Sequence, residues 1–222
     1  MNPRRTPPRG QTFLAALRDL RDALSEVGTG FFMIGGVAVI AHGVARHTAD
    51  IDAVVLAEGL DLRVALRVLA RHGIAARVDD PEAFARENQV ILLEHSASGI
   101  PLDVSIGWLP FETSALAAAV EVNYGSVRIL VPCVTDLIVY KLLASRPRDL
   151  DDAQNLVVLH GSEVDFVRAH DAMAPLCAAL EDPGPLETLG TLRKLHVGGH
   201  PARKRAPARP KASPAPRSPK KR

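Results

Sequence analysis

The chain of 222 residues lacks the features that mark several common classes of protein. It has only two cysteines, Cys133 and Cys177, with no CxxC pair and no Cys/His cluster, which argues against a disulfide scaffold or a structural zinc site. Its longest apolar stretch, Phe31 to Ala45, contains three glycines and a histidine and is shorter than the ~20 residues of a membrane span. The basic N-terminus precedes no uninterrupted apolar segment, so no secretory signal is predicted. We therefore expect a soluble cytoplasmic protein without a membrane partner.

Acidic residues are missing from one end of the chain. Residues 201–222 contain nine Lys or Arg and six Pro but no Asp or Glu. Of the 27 basic residues, 18 therefore remain in residues 1–200 together with all 25 acidic ones, which gives that part a charge of about −7. Such a tail cannot bury a core and is predicted to be disordered. Two interpretations of it stay open: sequence-independent attraction to nucleic-acid phosphates, or a solubilising extension without a specific partner.

The apolar pattern predicts a domain that mixes helices and strands. Short apolar runs between turn residues predict strands at residues 31–34, 51–56, 74–78, 90–95, 101–106 and 127–131. Spacings of three and four and capping residues predict helices at residues 12–27, 37–44, 61–72, 110–120, 135–145, 150–159, after Ser162, and up to about 195. This mixture favours an α/β or α+β fold with a helical C-terminal part.

The same pattern divides the chain into four parts. We predict a flexible arm at residues 1–10, a core at 11–125, a strand and helical part of the same domain at 126–198, and the basic tail at 199–222.

Acidic side chains lie at unusual positions in two of the predicted strands. Asp50 and Asp52 flank Ile51 at the start of one strand, and because strand side chains alternate, both carboxylates point to the same side. Asp103 lies between apolar neighbours in a later strand. A turn or a solvated hairpin face explains any one of these acids alone. Together they favour a divalent metal, because adjacent carboxylates are costly to keep ionised without a cation between them.

The order of these residues resembles a known family. Gly35-Gly36, followed after thirteen residues by Asp50-Ile-Asp52 and later by a strand aspartate, resembles the polymerase-beta-type nucleotidyltransferase fold. The segment from Gly35 to Asp52 is similar, more narrowly, to AbiEii-type nucleotidyltransferases. Two downstream segments agree with that family: Asp136-Leu-Ile-Val-Tyr-Lys141 and Arg146-Pro-Arg148-Asp149-Leu-Asp-Asp152. The resemblance covers roughly residues 31–159 and implies a mixed sheet flanked by helices.

The resemblance implies a reaction and a role for each acid. An acceptor hydroxyl attacks the α-phosphate of an NTP, pyrophosphate leaves, and two Mg²⁺ or Mn²⁺ ions steady the attacking and leaving oxygens. Asp50 and Asp52 would bind the metal ions on the nucleotide phosphates, and Asp103 would complete the second metal site. Gly35 and Gly36 would let the backbone approach the triphosphate closely.

The resemblance also implies roles for basic residues and for the acids near them. Lys141 would neutralise charge on the leaving pyrophosphate. Arg46 has two open interpretations, which are phosphate binding and a structural ion pair with Asp149 or Asp152. Arg148 and these two acids are expected to support the site.

The phosphate-binding segment departs from the family pattern at one position. Relatives often place a serine soon after the first glycine, whereas Val37 and Ala38 follow here. Backbone amides would replace that serine, and Thr48 is expected to bond a phosphate oxygen.

The implied partners follow from the family. Its members include toxins of toxin–antitoxin and phage-defence systems, so the resemblance implies NTP as substrate, an acceptor in RNA such as tRNA, in protein or in a small molecule, and a cognate antitoxin. The alternative is a catalytically degenerate relative that acts as a regulatory or nucleic-acid-binding protein.

Overall fold

A computed structural model describes residues 9–198, which form nine helices and seven strands. The predicted tail at 199–222 and residues 1–8 of the predicted arm lie outside the described residues, while Arg9 and Gly10 already belong to the first helix. The helices are α1 (Arg9–Val27), α2 (Gly35–Ala41), α3 (Leu62–Arg71), α4 (Pro81–Asn88), α5 (Pro110–Ala117), α6 (Val134–Ala144), α7 (Pro147–His160), α8 (Phe166–Ala179) and α9 (Gly184–Gly198). The strands are β1 (Phe31–Met33), β2 (Ile51–Leu56), β3 (Ile74–Ala76), β4 (Val90–His95), β5 (Ile100–Gly107), β6 (Val120–Tyr124) and β7 (Val127–Val131).

Five strands form a mixed sheet in the order β1-β2-β5-β4-β3. Only β2 and β5 pair in parallel, and every other neighbouring pair in this sheet is antiparallel. The parallel register places Asp52 opposite Asp103. The mixed sheet predicted from the sequence is therefore confirmed, and its central pair carries two of the three predicted acids.

The two faces of the sheet have different surroundings. Ile51, Ala53 and Val55 of β2 point into the main core, which also contains apolar residues of α1 and α3. Val54 points to the opposite face and packs in a small second cluster with Phe32. Because side chains alternate along a strand, Asp52 lies on the same face as Val54. This second face therefore has an apolar end and an acidic end.

Two elements were not predicted, α4 and β6. The pair β6–β7 forms a separate two-stranded sheet, and the boundary predicted at residue 125 falls in its turn. Helix α4 begins at Pro81, where the Asp80 side chain accepts a hydrogen bond from the Ala83 amide. Only Ala85 of this helix is buried, so it lacks the apolar periodicity from which helices are predicted.

Three helix starts differ from the prediction for identifiable reasons. Helix α2 begins at the glycine pair itself and not at Val37. Helix α7 begins at Pro147, three residues before the predicted start, since proline is tolerated in the first turn of a helix. Helix α8 is capped by Asp165 and not by Ser162, because the Asp165 carboxylate accepts hydrogen bonds from the Val167 and Arg168 amides.

No helix between Arg9 and Gly198 is both long and apolar enough to cross a membrane.

Candidate active site

The three predicted acids lie together at the acidic end of the second face of the sheet. Asp52 and Asp103 occupy aligned positions of neighbouring parallel strands, which are about 4.8 Å apart in a sheet. Asp50 precedes β2 and is exposed to solvent. The Thr48 hydroxyl is buried and donates a hydrogen bond to Asp50 Oδ1 at 2.9 Å. Thr48 therefore orients the Asp50 carboxylate, and its bond to a phosphate stays a prediction.

The double glycine is explained by close approach of side chains. Gly35 has a φ of +59°, and a Cβ at this position would lie 1.9 Å from Asp52 Oδ2. A Cβ on Gly36 would lie 2.4 Å from Thr48 Oγ1. The Ile34 amide donates to the Asp52 carbonyl at 2.9 Å and holds the turn against β2. The glycines thus let the turn pack directly on the acids, and their predicted contact with a triphosphate stays a prediction.

A network of ion pairs joins α6 and α7 opposite the acids. Lys141 is 5% exposed, and its Nζ lies 2.8 Å from Asp149 Oδ1 and 3.0 Å from Asp152 Oδ2. Arg46 also pairs with Asp152, and Arg146 pairs with Asp149. Of the two interpretations of Arg46, the structure supports the structural ion pair. Lys141 has the same kind of contact, so its predicted role at the leaving pyrophosphate is not visible in the structure.

Helix α7 also holds the loop that precedes β2. Arg148 donates a hydrogen bond to the His47 carbonyl, one residue before Thr48. Arg46, in the same loop, is tied to α7 through Asp152. The segment predicted as supporting therefore fixes the loop that carries Asp50.

The cationic side of the site carries surplus charge. On this side of the site, four cations accompany only two acids, Asp149 and Asp152. The cations are Arg46, Lys141, Arg146 and Arg148. Burial acts to raise the pKa of Asp149, but hydrogen bonds from Arg146 and Lys141 outweigh it and hold the pKa below its ordinary value. Both acids of the network are paired with cations, and Arg146 and Arg148 are the cations whose side chains are exposed.

Between the acidic and cationic sides lies a cleft of about 470 Å³. Its lining includes the three acids, the glycine pair and the cations of α6 and α7. It also includes six residues that were not predicted as site residues: Ile34, Val90, Ser105, Tyr140, Ala144 and Arg146. Ser105 lies two residues after Asp103 on the same face of β5, so strand alternation was the signal that would have identified it.

Asp52 has a strongly perturbed carboxyl group. The pKa of Asp52 is raised to about 6, chiefly by burial and also by the charges of Asp50 and Asp103, while Lys141 and Arg146 act in the opposite direction. A cation placed among these acids would relieve the repulsion that raises the pKa. The ionisation of Asp52 therefore depends on what binds there.

The donor atoms fit Mg²⁺ or Mn²⁺. Among residues 9–198, no three His, Cys, Asp or Glu side chains stand close enough together to hold an ion as they are placed. A closed cage is not required, because Mg²⁺ commonly uses one or two carboxylates together with substrate phosphates. Asp50 and Asp52 supply such a pair, and Asp103 supplies a third carboxylate on the neighbouring strand.

Comparison with known proteins connects this geometry to a family. The family described as "Nucleotidyl transferase AbiEii toxin, Type IV TA system" matches residues 18–217 of the chain. No protein with a curated description matches the sequence.

One solved structure shows the same fold at low sequence identity. The chain resembles JHP933 from Helicobacter pylori with a TM-score of 0.50 and 12% identity, over 86% of this chain and 92% of that one. It also resembles ANT(2")-Ia in complex with adenylyl-2"-tobramycin with a TM-score of 0.47 and 16% identity, over 85% of this chain and 98% of that one. At these identities we take only the fold from the comparison with JHP933. The fold predicted from the sequence is confirmed.

Proposed function

The chain belongs to the AbiEii nucleotidyltransferase toxin family, and from that premise we propose that it transfers NMP from an NTP to an acceptor hydroxyl in a reaction that requires Mg²⁺ or Mn²⁺. The observation that carries the proposal is the alignment of Asp52 with Asp103 on adjacent parallel strands, at the end of the sheet where Asp50 also lies. The cationic side chains across the cleft complete a site suited to a charged triphosphate.

The acids would hold the metal. Asp50 and Asp52 would bind the ion that accompanies the nucleotide, and Asp103 would bind an ion near the acceptor hydroxyl. A bound divalent ion supplies positive charge at the attacking and leaving oxygens. Thr48 and Gly35 contribute by fixing the directions of the Asp50 and Asp52 carboxylates, through a hydrogen bond and through close packing.

The cationic side would hold the phosphates. Arg146 and Arg148 are the exposed cations of the cleft, and a guanidinium can bind phosphate oxygens through two parallel hydrogen bonds. Lys141 is buried and paired with two acids, so we assign its main role to the position of α7. In the reaction the acceptor oxygen forms a bond to the α-phosphorus, the bond to the bridging oxygen breaks, pyrophosphate leaves, and the hydroxyl proton passes to water.

The acceptor, the partner and the location belong to the same proposal. The description of the family as a toxin of a type IV toxin–antitoxin system supports a cellular acceptor, an antitoxin partner and a cytoplasmic location. An RNA acceptor such as tRNA is our first choice, and a protein or a small molecule is the next.

A second candidate is a degenerate relative that binds nucleotide or nucleic acid without catalysis. Two observations favour it: Val37 and Ala38 replace the usual hydroxyl after the glycines, and Asp103 is paired with an arginine. Retention of all three acids favours the enzyme.

The test is incubation of the chain with each labelled NTP, Mg²⁺ or Mn²⁺, and either total RNA or cell extract. We expect label in an acceptor with the wild type and none with an Asp50→Ala/Asp52→Ala double variant. Asp151→Ala is a matched control, since it removes an exposed carboxylate from α7 outside the cleft.

Two results would count against the enzyme. Equal labelling by the double variant would reject the proposed site. Absence of both labelling and metal-dependent NTP binding in the wild type would favour the degenerate relative in the form that binds nucleic acid.

A further inference from the structure

A cation outside the predicted site contacts one of its acids. Arg77 follows β3, and one of its Nη atoms donates to Asp103 Oδ1. Its Nε donates to the Leu93 carbonyl at 2.8 Å, and its backbone amide donates to the Leu92 carbonyl at 2.9 Å. The side chain of Arg77 therefore reaches across β4 to β5, and two of these contacts are made with β4 itself.

The pair between Arg77 and Asp103 is partly open to solvent. The side chain of Arg77 is 34% exposed and that of Asp103 is 38% exposed. An ion pair of this kind changes a binding constant by up to about fivefold, because water and salt screen its charges. A divalent cation carries twice the charge of a guanidinium and would interact with Asp50 and Asp52 as well. The contact is therefore weak enough to be broken by such an ion.

We propose that Arg77 is a displaceable counter-ion of Asp103, which holds this carboxylate while no metal is bound and releases it to a divalent cation. The inference rests on the metal dependence proposed above. The backbone contact to Leu92 keeps Arg77 beside β4 when its side chain is released.

The pairing has a consequence for the order of metal binding. Asp50 and Asp52 can accept a cation without losing an ion pair to arginine, whereas a cation at Asp103 competes with Arg77 for Oδ1. The first ion should therefore bind at Asp50 and Asp52, and the ion at Asp103 should bind second and more weakly.

The test is a titration of the nucleotide-free full-length chain with Mn²⁺. Binding is measured by calorimetry or by the electron paramagnetic resonance of the free ion. We compare the wild type with Arg77→Gln and with the control Arg63→Gln. Arg63 is an exposed arginine of α3 that pairs with Glu82, so the control removes the same charge. Arg77→Gln is also made in an Asp103→Asn background. Thermal unfolding of each variant verifies that it is folded.

We expect Arg77→Gln to tighten Mn²⁺ binding by about two- to fivefold, with no such change in Arg63→Gln and none in the Asp103→Asn background. Unchanged or weaker binding by Arg77→Gln would overturn the inference while the proposed function stands. Tighter Mn²⁺ binding on adding Arg77→Gln to the Asp103→Asn background would also overturn it. Arg77 would then act on the bound ion at long range and not through Asp103. If the wild type binds no Mn²⁺ even with NTP, the metal dependence fails and this inference fails with it.

Discussion

The substitution Gly35→Ala tests the geometry that connects the glycine turn to the acids. A Cβ at Gly35 would lie 1.9 Å from Oδ2, 2.7 Å from Cγ and 2.9 Å from Cβ of Asp52. The carboxylate can rotate away, but the Cβ of Asp52 is fixed by β2 at a distance shorter than real Cβ contacts. The turn or the strand must therefore move, and such overpacking costs about 1–3 kcal/mol.

Gly73→Ala is a matched control for the backbone contribution. Gly73 has a φ of +71°, close to the +59° of Gly35, but no atom lies within 4 Å of its added Cβ. Alanine in this left-handed region costs about 1–2 kcal/mol at either site. We therefore expect Gly73→Ala to lose about 1–2 kcal/mol of unfolding free energy and Gly35→Ala to lose about 2–5 kcal/mol.

Urea denaturation measures the difference in stability, and Mg²⁺-dependent NTP binding measures the effect on the site. Gly73→Ala should bind like the wild type, because Gly73 lies at the end of α3 and does not line the cleft. Gly35→Ala should bind poorly even under conditions where it is fully folded, since the Asp52 carboxylate has been displaced. Equal stability of the two variants, together with normal NTP binding by Gly35→Ala, would refute this account of the turn.

Two further predictions concern the charges of the site. Burial and the neighbouring acids raise the pKa of Asp52 from 3.8 to about 6, so the metal-free wild type should lose up to about 3 kcal/mol of stability relative to Asp52→Asn as pH rises from 4 to 8. The stabilisation by the neutral Asp52 carboxyl is fully present below pH 4 and is lost as pH rises through 6. Urea denaturation of both proteins across this range measures the loss. Parallel pH profiles of stability for the wild type and Asp52→Asn would contradict the prediction. Lys141→Met should cost about 3–5 kcal/mol, because Asp149 and Asp152 would be left buried with less compensation. A variant that keeps wild-type stability but loses NTP affinity would instead make Lys141 a phosphate ligand.

Much of the fold could be predicted because its signals are local. Strand β2 has the predicted bounds, since a continuous apolar run between polar residues marks a buried strand. Helix α3 was predicted from Asp61 and begins one residue later, because the side chain of this aspartate caps it. Helix α4 was missed, since only Ala85 of its residues is buried, and its remaining signal was the pair Asp80-Pro81.

The acids could be predicted from the sequence, but their environment could not. Strand alternation places Asp50 and Asp52 on one side, and the family pattern adds Asp103. The alignment of Asp52 with Asp103 depends on a parallel pairing between distant segments, which local patterns do not determine. Arg77 gave no signal either, because it reaches Asp103 across an intervening strand.

The parallel pairing of β2 with β5 also has a consequence for biosynthesis. A ribosome delivers Asp52 well before Asp103, and the residues between them, which form α3, β3, α4 and β4, must be synthesised first. Helix α7, which holds the loop before β2, emerges later still. A nascent chain that has not yet emerged as far as α7 therefore lacks the contacts that hold the loop of Asp50. Assembly of the site needs nearly three quarters of the 222 residues, up to the end of α7 at His160.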